Sequence, residues 1–365
     1  MEHTVKTGKK FQIGAILTGI IFILLYITVK IPDFHHQIFK GRQLPQPSPK
    51  YQASLNSNKS DVASGTGSNS KILRSNKSDD LRRTGSNGGF LCGSVKGNLG
   101  NRLFVFASIY GIAKMKNITY FIPKHDSLYS VFNLFNDSSL IISKDSRKCK
   151  GTFFRKERIC CGYDPKLLNF EANAGYTLIT YLQSWKYFEG AKKNLRKQLI
   201  FKTDIQLWVN HTLEKISKEQ NYSEYDDVTF IGVHVRRGDM MTSVSAYGYQ
   251  VATPEYLHRA INRFIHLPNV IYIVCSLEIQ WVKKQFQNIT NVYYSDPRHG
   301  AHKDLALLAA CDHVITTVGT FGWWGAWLSG GNVTYFKWPA KPGSGLRKQF
   351  SKDYTDFFPP EWTGI

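Results

Sequence analysis

From residue 229 to residue 336 the chain alternates short apolar runs with segments of helical periodicity. TFIGVHV at 229–235 precedes a helix that Thr253 caps and Pro254 opens, and VIYIVC at 270–275 follows. NVYY at 291–294, an amphipathic AHKDLALLAAC at 301–311, HVITT at 313–317, a helix through GWWGAWL, and NVTYF at 332–336 continue the pattern. Strands interleaved with helices are βαβ units, and Pro just inside a helix start is a stop-and-go signal for the backbone. Such units predict an α/β fold with a parallel sheet that binds its ligand at the strands' C-terminal ends. Residues 89–122 begin in the same way, with FLCGSV, the turn GNLGNRL, a helix over about 102–115 and the strand ITYFI. The chain beyond residue 88 is long enough for two Rossmann-like lobes facing across a cleft, each around its own core. The expected boundaries are 89–222 for the first lobe and 223–365 for the second.

Strand 229–235 ends in GVHVRRGD, which brings an imidazole, two guanidiniums and a carboxylate to one strand mouth. Side chains alternate faces along a strand, so His234 and Arg236 share a side, Arg237 begins the turn, and Gly238 frees the backbone to carry Asp239 around. Guanidiniums hold phosphate oxygens bidentately and never lose their charge, so this pair suits a diphosphate leaving group. Asp239 is the nearest carboxylate. It serves either as a general base or, by an ion pair, as a lock on the arginines, and the second role is favoured.

Three further positions join this group. Glycines in GNLGNR let backbone at 97–102, including Asn101, approach a phosphate or sugar closely. Thr320 in TTVGTFGWWGAWLSGG stands at a helix start, where a hydroxyl and free amides receive an anion. Trp323, Trp324 and Trp327 beside it read as core. Asp304, in the first turn of its helix, is placed to accept the N–H donors of guanine.

Ahead of these lobes, residues 1–10 read as a short tail, 11–29 as a charge-free apolar signal-anchor long enough to span a bilayer, and 30–88 as a Pro-, Ser- and Asn-rich stem. Eight Asn-x-Ser/Thr sequons lie beyond the anchor and none before it. That arrangement predicts a single-pass type II protein with its bulk in the lumen of the ER or Golgi. The formal charge of +20 reflects 47 Lys and Arg against 27 Asp and Glu. In the lumen this surplus points to a nucleotide diphosphate or acidic surfaces rather than to nucleic acid. All six cysteines follow the anchor, so disulfides are expected, with adjacent Cys160 and Cys161 bonded to different partners. No CxxC pair or HExxH spacing suggests a metal site.

GNLGNRLFVFA, GVHVRRGD, HKDLALLAACDHVITTVGTFGWWGAWLSGG and FFPPEWTGI together resemble the galactoside α-1,2-fucosyltransferases over about 89–365. The resemblance implies a GT-B fold, with an acceptor-side first lobe and a donor-side second lobe. It also implies GDP-L-fucose as donor substrate with no bound cofactor or metal, and inverting transfer to O2 of a terminal β-galactose on a glycoprotein or glycolipid. Carried over by motif, Arg236 clamps the β-phosphate with Arg237 beside it, and His234 supports the loop. Thr320 meets the β-phosphate, Asp304 meets guanine, and Asn101 approaches the donor. Arg102 stands where the family has Gln, a departure that bears on the acceptor more than on the donor. A sulfotransferase would need a Lys-bearing phosphate loop that GNLGNR does not supply. The other reading consistent with the residues is a catalytically silent, membrane-tethered glycan-binding protein of the same fold.

Overall fold

The computed structural model describes residues 88–365, apart from 95, 96, 125, 172, 180, 224, 225 and 243. The expected tail, anchor and stem, with sequons Asn58 and Asn76, lie outside the described residues. Among the described residues no helix is long and apolar enough to cross a membrane. The six described sequon asparagines, Asn117, Asn136, Asn210, Asn221, Asn288 and Asn332, are all exposed.

Two parallel sheets form. The first contains β1 (Phe90–Ser94), β2 (Thr119–Pro123), β3 (Leu140–Ser143), β4 (Phe153–Arg155) and β5 (Gly175–Ile179), in the order β3-β2-β1-β5-β4. The second contains β6 (Thr229–Val235), β7 (Val270–Ser276), β8 (Val292–Tyr294), β9 (His313–Thr316), β10 (Val333–Tyr335) and β11 (Thr363–Gly364), in the order β11-β10-β9-β6-β7-β8. Strand β6 lies inside this sheet and is buried from Phe230 to Val235, as its nearly unbroken apolar run requires. Its register sets His234 opposite Cys275 of β7 and Thr316 of β9. Strand β11 has no signature in the sequence, because a two-residue edge strand carries no periodicity.

The helices that shape the cleft are α1 (Leu99–Lys116), α2 (Thr203–Glu219), α3 (Pro254–Asn262), α4 (Ile279–Gln285), α5 (Ala301–Ala309) and α6 (Thr320–Ser329). Helix α1 begins three residues before its expected start, so Asn101 lies in a helical first turn rather than in a glycine turn. Gly100 is a packing glycine: a Cβ there would stand 2.7 Å from the backbone of Thr320 and Phe321, so only Gly lets α1 approach α6 this closely.

The expectation of a separate core for each lobe is overturned. One apolar cluster runs from Leu91 and Phe104 through Trp323 and Trp324 to Phe357, and therefore belongs to both lobes. Phe104 lies 4.5 Å from Trp323 and 5.2 Å from Trp324, ring centre to ring centre. Each ring of this size contributes about 1.5–3 kcal/mol by burial. A second cluster covers the opposite face of the second sheet, beneath α3 and α4. The C-terminal segment ties the lobes further: Trp323 Nε1 donates to the Phe357 carbonyl, and Ser184 Oγ and Trp185 Nε1 donate to the carbonyls of Asp356 and Thr355.

A disulfide joins Cys92 of β1 to Cys149. Cys160 and Cys161 do not reach separate partners as expected. Their sulfurs lie 2.7 Å apart, and both backbone amides are held by Gln349 through its side chain and its carbonyl. Cys275 and Cys311 are buried in the second lobe.

Candidate active site

The ends of β6 and β9 and the first turns of α1 and α6 converge. Helix α6 starts at Thr320 after Gly319, whose φ of 98° lies in the left-handed region, and a Cβ on Gly319 would come within 3.0 Å of Arg236 Nη1. The Arg236 backbone amide donates to Thr317 Oγ1 at 2.9 Å. Its guanidinium clasps Asp239 with two bonds, Nε to Oδ1 at 3.2 Å and Nη2 to Oδ2 at 2.7 Å. This clasp holds the Asp239 carboxyl below the usual carboxylate range. Asp239 is thus a weak base and a firm orienting group.

Thr320 Oγ1 donates to Asn101 Oδ1 at 2.7 Å, and Gln183 Nε2 donates to the same oxygen at 3.1 Å. These three side chains come from α6, α1 and the segment after β5, so the bonds close the junction of the lobes. Gln183 lies in YLQSW, which has no motif or periodicity to mark it.

The structure parts the two arginines. Arg237 stacks on Trp281 with 4.0 Å to the ring centre and donates to the Ala252 carbonyl at 2.8 Å. Its charge is spread over an aromatic face, while Arg236 faces Gly319. His234 is buried beneath α6, 5.3 Å from the Phe321 ring, and its Nδ1 has no partner. Burial, with the Arg236 charge adding to it, lowers its pKa to about 3 and keeps the imidazole neutral. Asp304 sits in the first turn of α5 and accepts from Ser295 Oγ at 2.5 Å. Burial raises its pKa against the effect of that bond.

Two cavities meet here. One, of about 460 Å³, reaches from Arg236 and Asp239 past Arg237 and His234 to Asp304. The other, of about 640 Å³, opens on the far side among Glu157, Tyr181, Gln183, Tyr249 and Phe358. Asn101, Arg236 and Thr320 line both. All seven side chains expected at the site therefore border the first cavity, and three of them also border the second. Among the described residues no group of three or more His, Cys, Asp or Glu is placed to hold a metal ion.

The model of the family described as Glycosyl transferase family 11 matches residues 77–365. The chain belongs to this family. Members similar to it include the Galactoside alpha-(1,2)-fucosyltransferase 2 of Pongo pygmaeus, 28% identical over 281 residues that cover 74% of this chain and 77% of that one. The Galactoside 2-alpha-L-fucosyltransferase SEC1 of Bos taurus is 27% identical over 288 residues, covering 76% of this chain and 74% of that one. Among solved structures, fucosyltransferase NodZ from Bradyrhizobium aligns with 66% of this chain and 92% of its own, at 17% identity and a TM-score of 0.45. As a family 11 glycosyltransferase the chain needs a place for a sugar donor and one for an acceptor.

Proposed function

We propose that the chain is a galactoside α-1,2-fucosyltransferase, moving L-fucose from GDP-fucose to O2 of a terminal β-galactose with inversion at the sugar carbon. The observation that carries this reading is the sharing of Asn101, Arg236 and Thr320 between the two cavities, because transfer has to occur where donor and acceptor spaces meet. The smaller cavity has a size suited to a nucleotide. Asp304 at its far end accepts the guanine N–H donors. Arg236 and the N-terminus of α6 at Thr320 take up the charge of the departing diphosphate, the helix end offering free amides and a positive dipole. Asp239 fixes the Arg236 fork. Arg237 and His234 shape the wall behind it, the first through its stack on Trp281 and the second as a neutral spacer under α6.

The larger cavity, between the lobes, receives the galactoside. Family membership, the activities named for the two mammalian relatives and the charge arrangement all support this reading. The apolar segment 11–29 and the exposed sequon asparagines support a type II placement in the Golgi membrane with the two lobes in the lumen.

The full chain, expressed in cultured cells and purified in detergent, is expected to convert GDP-fucose and lactose into GDP and an α-1,2-linked fucosyl-lactose, identified by NMR of the anomeric proton. A protein that binds lactose yet releases no GDP beyond the blank rate would instead be a silent glycan binder.

A further inference from the structure

Transfer to a sugar hydroxyl needs a proton acceptor on the acceptor's side of the reacting carbon. Asp239 lies on the wrong side for this: it borders the donor cavity and is clasped by Arg236. Among the described residues bordering the acceptor cavity, Glu157 carries the one carboxylate. It is 6% exposed, set in the wall between Lys156 and Arg158. Its Oε1 accepts from the Tyr181 amide at 3.0 Å and its Oε2 from the Leu182 amide at 2.8 Å. A carboxylate has about four lone-pair sites, so each oxygen keeps one for a substrate hydroxyl. Leu182 is held at φ 48°, a conformation unfavourable for a branched side chain, and it persists because the surrounding bonds fix it. The next residue, Gln183, holds Asn101 and through it Thr320. The carboxylate is therefore anchored to the same segment that closes the reaction junction.

We propose that Glu157 is the general base of the transfer, taking the proton from the acceptor hydroxyl. This rests on the fucosyltransferase reading given above. The fucose C1 to phosphate-oxygen bond breaks and its electron pair leaves with GDP. The galactose O2 forms the new bond to C1, and its proton passes to the Glu157 carboxylate. Burial is the main influence on Glu157 and raises its pKa to about 8; Asp164 adds to the rise, and the two amides and Lys156 oppose it. Tyr187 and Cys161 also interact electrostatically with it, and Arg158, Cys160, Tyr181 and Arg236 line the same cavity. Only the ionised form accepts a proton, so kcat/KM increases with pH and levels off above about 8.

The test uses the full detergent-purified chain with GDP-fucose and lactose, and the variants Glu157→Gln and Glu157→Ala. Turnover by the parent chain tests the fucosyltransferase reading; if it transfers no fucose, that reading and this proposal both fall. Given turnover, Glu157→Gln is expected to lower kcat by about 10²- to 10⁴-fold, the usual worth of a general base. It should also abolish the rise of kcat/KM toward about pH 8 while leaving GDP affinity within about twofold. Added formate should partly restore Glu157→Ala. A Gln variant within about fivefold of the parent that keeps the rise would overturn the proposal. So would loss of GDP affinity in the Gln variant together with no formate rescue of the Ala variant, which marks a purely structural side chain.

Discussion

The cavity proposed for the donor is walled by the ends of β6 and β7 and the first turns of α1, α5 and α6, whereas the cavity proposed for the acceptor is walled mainly by connecting segments around 156–161, 181–183 and 339–358. On the donor side, each charged group is fixed to a regular element or within three residues of one, so its direction follows from strand alternation and helix phase. On the acceptor side, positions depend on long-range ties: Gln349 to Cys160 and Cys161, Glu157 to Tyr181 and Leu182, Ser184 to Asp356. A diphosphate needs preorganised charge, which rigid elements supply best. A glycan presents many hydroxyls in varied arrangements, and loops on a firm scaffold can be reshaped for them without disturbing the donor.

The most severe test of this contrast is Arg236→Ala. If the donor side does its work by fixed charge, removing the guanidinium should lower kcat by about 10²- to 10³-fold, the scale seen for one strong oxyanion donor. Turnover of the parent chain should be unaffected by excess EDTA. Steady-state kinetics with folding checked by circular dichroism would measure both. Specific activity within tenfold of the parent, or full loss on chelation restored by manganese, would remove Arg236 from its role.

Asp304→Asn should have the next largest effect. The amide keeps the carboxylate's shape but presents only one acceptor oxygen, so guanine loses a charged hydrogen bond worth about 1.5–3 kcal/mol. GDP affinity, measured by calorimetry, should fall roughly tenfold to a hundredfold while ADP affinity hardly changes. Equal losses for GDP and ADP would mean that Asp304 braces α5 through Ser295 and does not read the base.

These two effects concern residues visible in the sequence, and the reason is physical. Arg236 ends an apolar strand, Thr320 follows Gly319 at a helix start, and Asp304 falls in a first helical turn, so periodicity alone brings them to one end of one sheet. Glu157 and Gln183 carry no such mark. Within KERIC nothing local marks the glutamate for burial, which follows from the segment at Tyr181 and Leu182 closing over it. Gly100 misled in the opposite direction: glycine signals a turn locally, yet here it serves contact with α6, 220 residues later in the chain. The shared core was hidden for the same reason, since two βαβ patterns read separately do not disclose that Phe104, Trp323 and Phe357 pack together.

Arg102→Gln should give the smallest change, and it refines the contrast most closely. The sequence departure at this position bears on acceptor choice only if the side chain faces the acceptor. It borders neither cavity. Arg102 Nη1 donates to Ser127 Oγ at 2.6 Å and lies 3.8 Å from Asp126, and its Nε donates to the Gly97 carbonyl at 3.2 Å. It therefore braces the segment entering α1 against the turn after β2. A half-buried pair at such a distance contributes about 1 kcal/mol or less. Glutamine should lower the melting temperature by a few degrees at most and leave the ranking of galactoside acceptors on a glycan array unchanged. A reordered ranking would show that the first turn of α1 reaches the acceptor, and the division between a rigid donor wall and a loop-built acceptor wall would have to be redrawn to include it.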